Sequence, residues 1–481
     1  MKTPQEFIES IKNRKNEIYI LGEKVREPAE HPILRPSLNA LAKTYELAQD
    51  DLFKKLFIRH SVGGDCINCF TSLHRSTQDL LDKVKTLRIL GQETGTCFQR
   101  CVGWDALNAL ESTTFEIDQA LNTQYHARFM RYLHFVQQND LVCNGAMTDV
   151  KGDRSLPPSQ QADQDMFLHV VERRADGIVV RGAKAHQTGA IFSHEIIVMP
   201  TLTMRAGDQV YAVAFAIPSD TEGVIHILGR QPNDTRKLEG SPMDVGNNQF
   251  GAHEALIIFN DVFIPTERIF LDGEWQFTRM LVERFAGYHR QSYGGCKVGV
   301  GDVLIGAAAT AAEYAGADKA SHVRHKLSEM VHLNETLFSC GLSCSTAGKE
   351  LPSGTFLVDL LLANVCKQNV TRFPYEIARL AEDLAGGLLV TMPSEKDLNN
   401  PQIGPLIEKY LRGVSKVPTA DRMRILRLIE NITLGTSAAN YRTESMHGAG
   451  SPEAQVIMIE RLCDLESKKS LAKKLACINP Q

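Results

Sequence analysis

A chain of 481 residues with 43% apolar and 23% charged side chains has material for two or three packed domains and lacks the bias of a disordered segment. Its formal net charge of −4 supplies no basic field for a nucleic-acid backbone or an acidic membrane surface. No apolar run approaches the roughly eighteen residues that span a bilayer, and Met1-Lys-Thr-Pro-Gln-Glu-Phe7 has no hydrophobic signal core; a cytoplasmic protein is expected, with most of its 11 cysteines reduced.

Residues 1–138 read as an N-terminal helical domain, because Leu38 to Ala48 and Leu80 to Leu90 carry apolar residues at helical spacing. From 139 to 274 the pattern changes to short β-type runs, Gly177 to Gly182, Glu195 to Pro200, Tyr211 to Pro218 and Ala255 to Pro265, punctuated by Gly, Pro, Asn and Asp. This predicts a central β domain, a barrel or a sandwich, with the barrel taken as the expectation. Residues 275–481 return to helical periodicity at Ala307 to Ala315, Phe356 to Val370 and Met423 to Leu434, which predicts a C-terminal helical bundle and an α+β class overall. Gly299-Val-Gly301 follows no strand, so a dinucleotide-binding fingerprint is absent.

Two thiols, Cys97 and Cys101, stand four residues apart in Gly95-Thr-Cys-Phe-Gln-Arg-Cys-Val-Gly103, which reads as helix. In Tyr288-His-Arg-Gln-Ser-Tyr-Gly-Gly-Cys-Lys297, residues His289, Tyr293, Cys296 and Lys297 fall at i, i+4, i+7 and i+8, one helical face. Together they form a Cys3His set on two helices, suited to zinc or to an iron–sulfur cluster; spacing alone does not choose. Taken singly, each cysteine is more often a small core residue than a ligand. Cys66 and Cys69 form a C-x2-C with no answering pair, Cys340 and Cys344 read as bundle packing, and Cys143, Cys366, Cys463 and Cys477 as structural.

Cys97-Phe-Gln-Arg-Cys101, Glu283 to Lys297 and Tyr441-Arg-Thr-Glu-Ser-Met-His-Gly-Ala-Gly450 resemble the 4-hydroxybutyryl-CoA dehydratase family, within the 4-hydroxyphenylacetate 3-hydroxylase group and its acyl-CoA dehydrogenase-like architecture. The likeness runs on through Arg35 to Asn39, Met147 to Arg154, Arg181 to Gly189 and Arg379 to Gly387. It implies a [4Fe-4S] cluster on Cys97, Cys101, His289 and Cys296, FAD against the β domain, an acyl-CoA substrate, and a homotetramer whose FAD sites are completed by a neighbouring subunit. It also implies dehydration of 4-hydroxybutyryl-CoA and isomerisation of vinylacetyl-CoA, both to crotonyl-CoA. That dehydration removes a β proton the thioester does not acidify, beyond the factor of about 10²–10⁴ that acid–base catalysis contributes, so a radical route is expected. A histidine ligand suits the cluster's Lewis-acid task, since neutral imidazole leaves its iron less negative than a fourth thiolate does.

By the same resemblance Glu254 faces the substrate as a base or hydroxyl partner, and Thr188 bonds the flavin's reactive nitrogen, with Lys184 and Gln187 on the same segment. Tyr293 and Lys297 flank Cys296 on the ligand face; their plainer readings are a core aromatic and a surface ammonium. Glu444, with His447, either completes the acid–base set or caps a helix, and Gln99, between the thiols, is a candidate substrate contact. Lys151, Asp153, Arg154 and Ser155 form a charged turn able to hold ribose or pyrophosphate, and Asp383, Gly386 and Gly387 a segment able to reach a neighbour's cofactor. Two rival readings remain: a two-component flavin monooxygenase of phenols, which has no use for the cysteines, and a non-catalytic scaffold holding structural zinc.

Overall fold

A computed structural model describes residues 1–61, 63–232 and 235–478. The N-terminal part is built on Arg35–Gln49, Thr77–Thr94, Cys101–Leu121 and Tyr125–Gln138. Ser76 starts the second of these by accepting from the Asp79 amide, and Gly95, at φ 59°, stops it in the left-handed conformation that glycine adopts without penalty. One strand of this region leaves it: Glu17–Ile20 runs parallel to Val224–Leu228 and so joins the central sheet.

The expected barrel is corrected to two open sheets. Six strands pair in the order Glu23–Lys24, Glu17–Ile20, Val224–Leu228, Glu254–Pro265, Gly177–Thr188, His169–Arg174; four more pair as Ile269–Asp272, Val213–Pro218, Glu195–Val198, Cys143–Ala146. Neither closes among the described residues. The edges of the larger sheet explain why: Glu23–Lys24 is two exposed residues, and His169–Arg174 exposes Glu172, Arg173 and Arg174. Short, charged edges refuse further pairing. The run from Tyr211 begins its strand at Val213, Tyr211 itself lying in a 3-10 turn. Leu107, Leu110, Phe129, Ile197, Phe215, Ile257 and Tyr288 share one apolar cluster that joins sheets and helices.

Thr278–Tyr314, 37 residues long, is the axis of the C-terminal bundle, flanked by Ser321–Thr346, Leu360–Val370, Phe373–Ala385 and Thr419–Thr433 and, from the N-terminal part, by Thr77–Thr94. The helix expected from Phe356 starts later. Phe356–Leu357 pairs with Lys349–Glu350, and Asp359 then caps Leu360–Val370 by accepting from the Leu362 amide at 2.8 Å. The stretch Trp275–Tyr314 does have the length and hydropathy to cross a membrane, contrary to the sequence expectation, but two-thirds of its apolar window is buried, as in the core helix of a globular protein.

Small residues let the axis helix and Thr77–Thr94 cross almost backbone to backbone. A Cβ built on Gly91 would stand 2.7 Å from the Cys296 carbonyl oxygen, and one on Gly299 would stand 2.7 Å from Gly91 Cα. Gly91→Ala therefore sets a helix-propensity gain of about 1 kcal/mol against an overpacking cost of about 1–3 kcal/mol that falls on backbone unable to yield. The clash is expected to win, and differential scanning calorimetry should show a lowered Tm.

Candidate active site

The Cys97–Cys101 pair does not lie within one helix. Cys97 is in the connection after Gly95, and Cys101 is the first residue of Cys101–Leu121. Gly95 and Gln99, at φ 59° and 67°, both take left-handed backbone that no continuous helix tolerates. The second half stands as read: His289, Tyr293, Cys296 and Lys297 all lie on Thr278–Tyr314. Cys97, Cys296 and Lys297 line one narrow pocket together with Ser437, Asn440 and Tyr441, while Cys101 packs in the apolar cluster that holds Cys296 and Tyr293. Burial pushes the Cys296 thiol up to about 12, and raises Cys97 and Cys101 as well. His289 presents Nδ1 to Asp105 Oδ2 at 2.8 Å. Among the described residues no three or more His, Cys, Asp or Glu side chains converge on a single ion-sized point.

Beside the thiols lies a charged cluster. Lys297 donates to a Glu444 oxygen and, at 2.6 Å, to the Asn440 carbonyl; Tyr293 donates to the other Glu444 oxygen. Burial works against both charges of that pair, yet each partner outweighs it, holding the Glu444 carboxyl below and the Lys297 ammonium above their ordinary values. Lys367 stands 4.9 Å from the Tyr293 ring and is pushed down to about 7 by burial. Glu254 enters from the sheet. The antiparallel register sets it opposite Thr188, whose hydroxyl donates to Oε1 at 2.7 Å, while Asn440 donates to the same oxygen at 3.0 Å. Oε2 is buried with no hydrogen-bond partner among the described residues. Burial first, and then the Glu444 charge, raise the Glu254 carboxyl to about 8.

The remaining predicted residues divide. Gln99 is buried and tethered: its amide donates to the Ser37 carbonyl at 3.1 Å and its oxygen accepts from Ser37 Oγ at 2.8 Å, so it braces the wall that carries Gly189 and His253. Lys184 Nζ donates to Asp149 at 2.5 Å, the Met147 carbonyl at 3.0 Å and the Met199 carbonyl at 2.8 Å, which uses all three of its protons. Gln187 donates to the Thr148 carbonyl at 3.2 Å. Lys184→Met is expected to cost about 3–5 kcal/mol by stranding Asp149 in the interior, read as a lower denaturation midpoint of the flavin-free protein. An unchanged midpoint with lost flavin would instead make Lys184 a cofactor contact.

Lys151 and Arg154 make no ion pair among the described residues, and Asp153 holds Ser155 by N and Oγ at 2.9 and 2.7 Å. His186 is lowered by burial and then by the charges of Lys151 and His447, so this turn lies near the C-terminal segment. Asp383 pairs with Lys326 at 2.6 Å, and the Gly386-Gly387 pair ends Phe373–Ala385 rather than lying inside a helix, with open space where a Cβ would be.

Asp105, Lys83, Asn440 and Lys367 were missed by sequence reasoning. Asp105 had a signal, one turn after Cys101 on the same helix. Asn440 and Glu444 lie in the π-turn Ala439–Glu444, whose side chains follow no 3.6-residue spacing. Ser437 and Asn440 also line an adjoining shallow cleft with Asn247, Phe250 and Asn431.

A carboxyl on a sheet, one thiol, an imidazole and an ammonium on a bundle helix, and two further thiols from the N-terminal part gather between sheet and bundle, the candidate centre of a mixed α/β enzyme. The chain belongs to the 4-hydroxyphenylacetate 3-hydroxylase family, whose N-terminal domain matches residues 3–271 and C-terminal domain residues 278–477. It is 58% identical to the 4-hydroxybutyryl-CoA dehydratase/vinylacetyl-CoA-Delta-isomerase of Clostridium aminobutyricum, over 99% of this chain and 100% of that one. The oxygen-tolerant archaeal 4-hydroxybutyryl-CoA dehydratase of N. maritimus superposes with a TM-score of 0.98 at 53% identity, covering 100% of this chain and 96% of that one. The oxygenase component of 4-hydroxyphenylacetate 3-monooxygenase complexed with FAD shares the fold, with a TM-score of 0.87 at 24% identity over 99% and 98% of the chains. An acyl-CoA dehydrogenase from Slackia heliotrinireducens shares it more distantly, at 14% identity and a TM-score of 0.50 over 98% of each chain.

Proposed function

We propose that this chain is an enzyme that dehydrates 4-hydroxybutyryl-CoA and isomerises vinylacetyl-CoA, giving crotonyl-CoA in both cases, with FAD and a [4Fe-4S] cluster as its cofactors. The observation that carries it is the full-length 58% identity to an enzyme bearing both activities. The donor set fits the cluster. Two buried thiols, Cys101 and Cys296, and the half-buried Cys97, all held toward neutrality, can ionise only against nearby positive charge such as Lys297, and a four-iron cluster takes one donor per iron, so its ligands need not converge on a single ion-sized point. The FAD reading is supported by the flavin complex of the same fold and by Lys151 and Arg154, which pair with no carboxylate among the described residues and so suit a pyrophosphate. When bound, the flavin would supply one-electron chemistry and the cluster a Lewis acid for the departing hydroxyl.

The chain's own residues handle the protons. Glu254, with a carboxyl near 8 and a free Oε2, takes a proton from the substrate carbon and can return one, as moving a double bond from the β,γ to the α,β position requires. Glu444, held ionised by Lys297 and bonded by Tyr293, adds its negative charge to the burial that chiefly keeps Glu254 poised high. Cys97, Cys101, His289 and Cys296 would hold the cluster, and Thr188 would meet the flavin from the strand it shares in register with Glu254. A homotetramer with shared FAD sites, as the family resemblance implies, completes this reading.

Anaerobic purification followed by iron, sulfide and flavin analysis and an assay on vinylacetyl-CoA tests the reading. Near-stoichiometric flavin, iron with equal sulfide, and formation of crotonyl-CoA are expected. Zinc without iron, or hydroxylation of a phenol by supplied reduced flavin and oxygen, would overturn it.

A further inference from the structure

We infer that Asp105 is the positioning residue of the imidazole ligand: it accepts the Nδ1 proton of His289 and leaves Nε2 as the ring's free acceptor. The inference rests on the cluster reading of the same site. A carboxylate paired with an ammonium can only accept, so the 2.8 Å contact between Asp105 Oδ2 and His289 Nδ1 assigns the tautomer. The ring is also held by neighbours, stacked at 5.5 Å on Phe285 and edge-on at 5.1 Å to Tyr293.

Asp105 is itself completely buried and fixed from three sides. Lys83 Nζ donates to Oδ1, and Ser292 Oγ donates to Oδ2 at 3.1 Å. The other protons of Lys83 go to the Tyr288 carbonyl at 3.0 Å and Gln291 Oε1 at 3.1 Å; Gln291 in turn donates to the Leu80 carbonyl at 3.0 Å and Ser345 Oγ at 2.7 Å. The relay Ser345–Gln291–Lys83–Asp105–His289 thus ties the imidazole's helix to three further helices. Cys101 stands one turn before Asp105, so one helix carries a thiol ligand and the orienter of the imidazole ligand. Such outer carboxylates raise the basicity of a ligating imidazole and hold its lone pair in one direction.

The test uses anaerobically purified holoenzyme bearing D105N, and also the double variant K83M/D105N, which removes both buried charges and so keeps the interior neutral. Expected for both is unchanged flavin content, iron released to a chelator about tenfold or more faster than in the parent, and, after one-electron oxidation by added ferricyanide, the electron paramagnetic resonance signal of a three-iron cluster that has lost its imidazole-held iron. If D105N fails to fold, the double variant, checked by its circular dichroism melt, carries the decision. A folded variant with parental iron-to-sulfide ratio, spectrum and chelator rate overturns the inference. A parent without iron overturns the cluster reading instead, a distinguishable result.

Discussion

Glu254→Gln is expected to lower kcat for both reactions by about 10²–10⁴, the usual worth of a positioned acid–base group, without loss of iron, sulfide or flavin. Glutamine keeps the shape and can still meet the Thr188 hydroxyl and the Asn440 amide, which stand at 2.7 and 3.0 Å from Oε1, but it cannot accept a proton from carbon. In the parent, kcat/KM should fall on the acid side of a midpoint near 8, because the ionised form is the active base and burial holds that carboxyl at about 8. Stability gives a second readout of the same group. With its folded value raised above the ordinary 4.5, the folded state holds a proton that the unfolded chain releases, so the group costs increasing stability as pH rises from about 5 to about 8. The variant lacks this cost, and its Tm relative to the parent should climb across that window. A variant with parental turnover, or an acid limb that lies well below 6 in the parent, would remove Glu254 from the chemistry.

That carboxyl also shows where sequence reading stops. The face shared by His289, Tyr293, Cys296 and Lys297 was legible because a long helix imposes one period on all of its residues. The geometry of Cys97 was not, since two positive φ values at Gly95 and Gln99 break the helix that the spacing imitates, and a non-glycine residue such as Gln99 gives little local warning. Strand existence was legible, but closure was not: it depends on how edge strands end, and the charged edge at Glu172 to Arg174 keeps the sheet open. Glu254 meets Thr188 only through a register between strands 66 residues apart, and Asn440 reaches both Glu254 and Lys297 only because a π-turn re-aims it. Local periodicity finds the faces; long-range register and non-periodic turns decide which faces meet.

Replacing any one of Cys97, Cys101 or Cys296 by serine should strip most of the iron and sulfide from anaerobically purified protein and remove its brown colour, while Cys366→Ala should retain both. The contrast separates ligation from packing. Cys366 is as buried as Cys101, packs beside the axis helix at Gly294, and has its thiol raised by burial in the same way. Its loss should cost about 1 kcal/mol of packing and nothing else. Serine nearly matches the thiol in size but is a far poorer iron ligand, so an effect of Cys296→Ser on iron cannot be a cavity effect. The three thiols also come from separate places, the connection after Gly95, the start of Cys101–Leu121, and the axis helix. A bound cluster would therefore cross-link the N-terminal helices to the bundle, and its loss should lower the Tm of each serine variant by more than that of Cys366→Ala. Equal iron content in all four variants would leave the thiols as core residues and return the chain to the chemistry of its flavin-binding relatives.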